Sequence, residues 1–189
     1  MSERYYHTKI SVDEYIKMAE GYDGAELIQV LTKYLSEQST LLELGSGPGS
    51  DWCLLSQHFS VVGSDNSKEF IKRLTEKHPD GEFIKLDASA LLVDKSFDGI
   101  YSNKVLHHLT DEELKTSIGR QHEILNDDGI ICHSFWVGEG SEVFKGLFVN
   151  YHTETDVRDL LNEGFEILHL SSYKEFEADD SIFVIGRKK

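Results

Sequence analysis

Five short apolar runs alternate with helical patterns through the middle of the chain, and this alternation constrains the fold more than any other feature. The runs are TLLEL (40–44), FSVVGSD (59–65), EFIKLDA (82–88), FDGIYSN (97–103) and GIICHSFW (129–136). Segments with helical periodicity separate several of them, notably 50–58, 67–77 and 111–125. Between Asp87 and Phe97 there is room for only a turn or so of helix. Strand and helix in alternation predict an α/β fold, a parallel sheet with helices on its faces. The C-terminal portion differs. VRDLLNEG reads as a helix, and FEILHLSSYKEFE and SIFVIGRK face each other across ADD as an antiparallel hairpin. Ahead of the first run, SVDEYIKMAE and GAELIQVLTKYLSEQ read as a helical pair, because Leu27, Val30, Leu31 and Tyr34 recur at helical spacing.

At 189 residues the chain fits one domain with a real core. MSERYYHTKI has no apolar signal core, and no run approaches the ~18 apolar residues of a membrane span. The two cysteines, Cys53 and Cys132, lie far apart without a CxxC and are expected to pack as small reduced hydrophobes. A cytoplasmic location, with no membrane partner, follows as the expectation. Thirty-four acids against nineteen bases give a net charge of −15, spread along the chain. Such a field repels phosphate backbones, so nucleic acid is a poor partner. Excess acid that keeps a small enzyme in solution is the favoured reading.

In open α/β sheets, ligands bind outside the carboxyl ends of the strands. Here the candidate strands end in Glu43, Asp65, Asp87 and Asn103, and the fifth runs out through His133 to Trp136. Four polar ends in succession point to a shared site. After the first strand comes the glycine loop of LLELGSGPGSD. A phosphate-binding P-loop needs Gly-Lys-Ser/Thr at its end, and no lysine lies between Thr40 and Val61. A dinucleotide fingerprint needs a third glycine at position 50, which is Ser50; the third glycine is instead Gly49. Asp65, twenty residues beyond Gly45, suits a ribose in either a dinucleotide or another nucleotide-like cofactor. It also competes as a helix cap with Ser67.

Glu43 places a negative charge just before the loop, which suits an amino group better than a pyrophosphate. Asp87, followed by Ala88, is placed to accept from an adenine amino group. Taken in order, LLELGSGPG, VVGSDNS, FIKLDAS, IYSNKVLHHL and LNDDGIICHSFW resemble the motifs of class I S-adenosylmethionine-dependent methyltransferases, most closely the branch acting on small molecules. The resemblance runs from about residue 40 to the C-terminus. It implies a Rossmann-like, doubly wound, mostly parallel seven-stranded sheet, closed by the antiparallel hairpin, with residues 1–38 as a helical lid over a 39–189 core. It further implies that Gly45, Ser46, Gly47 and Gly49 let the backbone approach the cofactor, S-adenosylmethionine. Glu43 would hold its amino group, Asp65 its ribose, Asn66 would pack beside the adenine, Asp87 and Ala88 would flank the adenine edge, and the backbone near Asn103 would border the methionine part. Lys104 departs from the family, which more often has a small or apolar residue there; a side chain directed to solvent is expected, with the cofactor carboxylate or an anionic acceptor as the alternatives.

Catalysis is less constrained. A sulfonium carries a good leaving group, so in-line positioning of a small-molecule acceptor is the main task, and a general base is needed only if the acceptor keeps its proton. His107 and His108 are the candidate bases, against a plain structural pair. Trp136, Tyr151 and His152 are candidates for the acceptor wall, with core or rim positions as the alternative. No metal is implied: the nine histidines are scattered without ligand spacing, and the sulfonium needs no Lewis acid. Two other functions stay open. An NAD-dependent oxidoreductase shares the sheet, the loop and Asp65, yet the only Tyr-x-x-x-Lys spacing is Tyr5–Lys9, ahead of the loop. A catalytically inactive S-adenosylmethionine-binding protein has the same strand ends.

Overall fold

The structure, a computed structural model, describes residues 8–144 and 146–189. Tyr5 and the first seven residues of the expected lid lie outside them.

Seven strands form one sheet: β1 (Thr40–Leu44), β2 (Ser60–Asp65), β3 (Glu82–Lys85), β4 (Phe97–Asn103), β5 (Leu125–Trp136), β8 (Phe165–Tyr173) and β9 (Ser181–Lys188). A separate hairpin holds β6 (Ser141–Phe144) and β7 (Leu147–Asn150). The sheet order is β3-β2-β1-β4-β5-β9-β8. The pairs β3–β2, β2–β1, β1–β4 and β4–β5 are parallel; β9 runs antiparallel to both β5 and β8. The order reverses between β1 and β4, which leaves a crevice above their carboxyl ends.

Alternation along the strands builds two apolar layers. Ile100, Ile131 and Val184 face one core, beneath α5 (Asp111–Ile124) and α6 (Glu154–Leu161). Their neighbours Tyr101, Cys132, Phe183 and Ile185 face the other, with α2 (Ala25–Leu31) and α3 (Ser50–Leu55). Each fully buried leucine or isoleucine in these layers contributes roughly 1.5–3 kcal/mol. The helix starts are sealed by their own side chains. Thr110 and Glu113 form a reciprocal capping box on α5, Thr153 and Asp156 another on α6, and Ser67 caps α4 (Lys68–Lys77).

Several boundaries differ from the sequence expectation. The helix expected over 24–38 stops at Leu31; tight turns (Lys33 N to Val30 O, Tyr34 N to Leu31 O) then lead the chain to β1. The fifth strand starts four residues early, at Leu125, because Leu125 pairs with Phe97 across an irregularity in the ladder. The β6–β7 hairpin was not expected at all. Of the expected lid, α2 is a core layer, with Leu27, Ile28 and Leu31 all buried. Only α1 (Lys9–Met18) lies over the ligand end, held to α4 by Arg73–Asp13 at 2.7 Å and by Tyr15 edge-on to Phe70. Cys132 is buried in the core, and Cys53 Sγ lies 3.6 Å from His78 Nε2. No helix among the described residues is long and apolar enough to cross a membrane.

Candidate cofactor and acceptor site

The glycine loop follows directly from the end of β1. Gly45, Gly47 and Gly49 all have positive φ, at 69°, 48° and 86°. A Cβ at Gly45 would meet Val105 Cγ2 at 2.5 Å, so the Val105 side chain packs directly on the bare backbone there. Beneath the loop, Ser46 Oγ donates to Glu43 Oε2 at 2.5 Å and accepts from Ser64 N at 3.1 Å, while Ser64 Oγ donates to the Glu43 carbonyl at 2.7 Å. Glu43 is 2 % exposed. Burial pushes its carboxyl up to about 8, helped by the negative charges of Asp51 and Asp65 and opposed by the Ser46 hydrogen bond. Glu43 and Ser46 thus lie under the loop, as its support, and Gly49 caps α3. Gly45 and Gly47 are the two glycines on the wall of the cavity above.

That cavity is about 290 Å³. Asp65, Asn66, Asp87 and Ala88 line it together with Tyr15 of α1. Asp65 Oδ2 accepts from Gly47 N at 3.1 Å and Oδ1 from Ser67 N at 2.7 Å. The acid therefore ties the loop to the start of α4, while Ser67 does the helix capping that competed for it. Asp87 Oδ1 accepts from both the amide and the hydroxyl of Ser89, at 2.8 and 2.7 Å. The four positions converge because parallel strands β1, β2 and β3 end at one level.

Asp51, which the strand-end pattern did not single out, is a hub. Its Oδ1 accepts from Gly24 N at 2.7 Å; its Oδ2 accepts from the Tyr101 hydroxyl at 2.7 Å and from Asn103 Nδ2 at 3.1 Å. Asn103 in turn accepts from Ser134 Oγ at 2.6 Å. The signal was there in GPGSD, an acid at the first turn of the helix that the loop opens.

Lys104 does not face solvent. Its backbone sits at φ 55°, a left-handed conformation that costs a lysine roughly 1–2 kcal/mol. This turn sends the side chain back over the sheet. Nζ donates to the Phe135 carbonyl at 3.1 Å and to Ser181 Oγ at 2.5 Å, and lies 3.5 Å from the Trp136 ring centre. Burial lowers its pKa to about 7, with Glu175 and Asp180 pulling the other way. An ammonium bonded on two sides and set over an indole face is a staple across β4, β5 and β9.

The two histidines part company. His107 is 3 % exposed and off the cavity wall, its Nδ1 without a partner among the described residues; burial, then His108, holds its pKa well below the usual range. His108 lines the cavity, beside Leu109, Glu113 and Leu147. Its Nδ1 lies 2.7 Å from the Phe148 carbonyl. A carbonyl only accepts, so Nδ1 carries the hydrogen and Nε2 the lone pair. Burial lowers the His108 pKa, the Phe148 contact opposing, which favours the neutral ring. Trp136, Tyr151 and His152, expected on the acceptor wall, do not line the cavity. Trp136 stacks on Phe176, the Tyr151 hydroxyl donates to Glu142, and His152 packs on Phe135. The unforeseen hairpin supplies that end instead, through Leu147 and the Phe148 carbonyl.

Residues 41–129 match the family model described as a methyltransferase domain. An uncharacterized methyltransferase of Oceanobacillus iheyensis is 31% identical over 125 residues, 62% of this chain and 54% of that protein. The trans-aconitate 2-methyltransferase of an Azoarcus species is 29% identical over 101 residues, 52% of this chain and 40% of that one. The chain thus spans about half the length of these curated relatives. Among solved structures, the Burkholderia thailandensis 1,6-didemethyltoxoflavin-N1-methyltransferase, determined with S-adenosylhomocysteine, superposes with a TM-score of 0.77 at 20% identity, over 94% of this chain and 83% of that one. The matched segment, a methyltransferase domain, carries the glycine loop and the strand ends Asp65, Asp87 and Asn103, and in fold the chain is similar to S-adenosylmethionine-dependent methyltransferases.

Proposed function

We propose that the chain transfers a methyl group from S-adenosylmethionine to a small-molecule acceptor by in-line displacement. The observation that carries this reading is the convergence of Gly45, Gly47, Asp65 and Asp87 with His108 and Leu147 in one cavity. The donors and acceptors suit the cofactor. Asp65 offers carboxylate oxygens to ribose hydroxyls, Asn66 packs beside the adenine, and Asp87 accepts at the adenine edge with Ala88 beside it. Gly47 is required by its backbone rather than by space, since its φ of 48° is left-handed while a Cβ there would make only an ordinary contact with Tyr15 Cε1 at 3.7 Å. Glu43, sealed under the loop and holding its proton at neutral pH, shapes the loop through its Ser46 hydrogen bond rather than meeting the cofactor's ammonium as a charge.

The bound cofactor supplies an activated methyl on a sulfonium. The protein's part is alignment and exclusion of water, which is worth ~7–11 kcal/mol when the reacting atoms are well held. Here α1 acts as the lid, with Tyr15 over the glycine loop. His108 Nε2 takes a proton from an acceptor that keeps one, an office for which the neutral ring is suited. A small-molecule acceptor is the reading that the order of the motifs supports, approaching the methyl from the end of the cavity lined by His108, Leu109 and Leu147. Trans-aconitate and didemethyltoxoflavin, named for two of the relatives, mark the size range. A cytoplasmic setting, where such acceptors are available, belongs to the same reading.

Calorimetry with S-adenosylhomocysteine and with NAD is the direct test. Binding of the first alone is expected; preferential binding of NAD overturns the reading. A methylation screen against metabolite extracts then separates an enzyme from a binding protein, which would hold the cofactor without product.

A further inference from the structure

A chain of polar side chains runs through the core below the cavity, and the proposed chemistry does not use it. Ser102, His133, Gln121 and Ser117 are all 0% exposed. Ser102 Oγ lies 2.8 Å from His133 Nδ1, His133 Nε2 2.7 Å from Gln121 Oε1, and Gln121 Nε2 3.2 Å from Ser117 Oγ. Ser117 Oγ then reaches the Ala88 carbonyl at 2.6 Å.

One end fixes the direction of every bond. The Ala88 carbonyl can only accept, so Ser117 donates to it and must accept from Gln121 Nε2. The amide oxygen of Gln121 is thereby turned toward His133, whose Nε2 carries the hydrogen. His133 Nδ1 is left to accept from the Ser102 hydroxyl. Burial, which drives the His133 pKa down to about 3, keeps the ring in this neutral form. Ser102 adjoins Asn103, a partner of Asp51 behind the glycine loop, whereas Ala88 is on the cavity wall beside Asp87. The amide N–H of Ala88 has no partner among the described residues. Four fully buried polar side chains are an expensive way to fill a core, since any break leaves a donor or acceptor stranded.

We propose that Ser102, His133, Gln121 and Ser117 form a positioning relay that pins the Ala88 peptide, and so sets how tightly and how selectively the adenine end of the cofactor is read. This rests on the reading that Asp87 and Ala88 meet the adenine. The relay residues touch no ligand; they act through the Ala88 carbonyl.

The test compares S-adenosylhomocysteine with S-inosylhomocysteine, which replaces the adenine amino group by a carbonyl. In the Ser117→Ala protein, affinity for the adenine compound is expected to fall about tenfold, the worth of one lost hydrogen bond. Affinity for the inosine compound should change less than about twofold, so that discrimination collapses. Ser117→Thr, which keeps the hydroxyl, should restore it. Equal losses for both compounds, or none, mean that the chain is structural only and overturn the relay. If Ser117→Ala does not fold, Gln121→Met is read in the same way, and failure of both to fold likewise overturns a positioning role. Asp87→Asn separates the two layers of inference. A changed discrimination there beside an unchanged one in Ser117→Ala removes the relay and leaves the adenine reading standing; no change in either removes both.

Discussion

The Tyr101 hydroxyl donates to Asp51 Oδ2 at 2.7 Å, deep beneath the glycine loop, and so locks the central strand to the first turn of α3. Burial and the Asp51 charge keep the phenol protonated far above neutral pH, so the donor is constant. Tyr101→Phe is expected to lower the unfolding free energy by roughly 1.5–3 kcal/mol, the range for a hydrogen bond to a charged group. Urea titration measures it, and a loss under about 0.5 kcal/mol would show that Gly24 and Asn103 alone satisfy Asp51.

Asp65 stands at the junction of loop and helix. Asp65→Ala should weaken S-adenosylhomocysteine binding about tenfold to a hundredfold, through lost ribose contacts and a loosened Gly47 amide. Because Ser67 still caps α4, the variant should fold. A parental dissociation constant in the folded variant would take Asp65 off the ribose.

Glu43 gives a dependence on pH. Its carboxyl has an ordinary value of 4.5 when exposed and about 8 when folded, so the native state holds a proton that the unfolded chain releases. The stabilisation is complete below about 4.5 and is lost as pH rises toward about 8. Glu43→Gln, which cannot ionise, should therefore gain on the parent as pH rises through this window, by up to roughly 1.4 kcal/mol per pH unit. Denaturation of both proteins at pH 5, 6, 7 and 8, values of about that spacing, reads the difference directly; a constant gap would place an ionised Glu43 in the fold.

For the histidines, His108→Asn should depress turnover about a hundredfold while leaving product affinity within about twofold, if the acceptor keeps a proton. His107→Asn should act on stability instead, because its ring packs against His108 and Trp136 away from the cavity. Steady-state rates and melting curves on the two variants distinguish these roles. Parental turnover in His108→Asn assigns the rate to alignment alone.

The sheet was legible because its information is local. Apolar runs bounded by polar ends specify strands, and parallel strands must finish at a common edge, which brought Asp65 and Asp87 to one cavity. What was hidden depends on contacts between distant segments. Lys104 was expected outward because nothing in NKVL announces a left-handed turn, and only the fold brings Phe135 and Ser181 within its reach. Trp136, Tyr151 and His152 follow a strand end in sequence, but the chain doubles back at Gly138 and Gly140 and turns them toward Phe176, Glu142 and Phe135. Asp51 lies in a helix turn rather than at a strand end, and its partners come from two distant segments, Gly24 and the end of β4.

The β6–β7 hairpin stands apart from the main ladder, with Val143 70% and Phe144 55% exposed, yet it contributes Leu147 to the cavity and the Phe148 carbonyl to His108. Its strand ladder is its own, and Phe148 and Asn150 tie it to His108 and Asp111 rather than to any strand of the seven-stranded sheet. The cavity is thus built from two structurally separate parts, the strand ends of the sheet on one side and a two-stranded hairpin on the other, so a change of shape in one need not re-register the other.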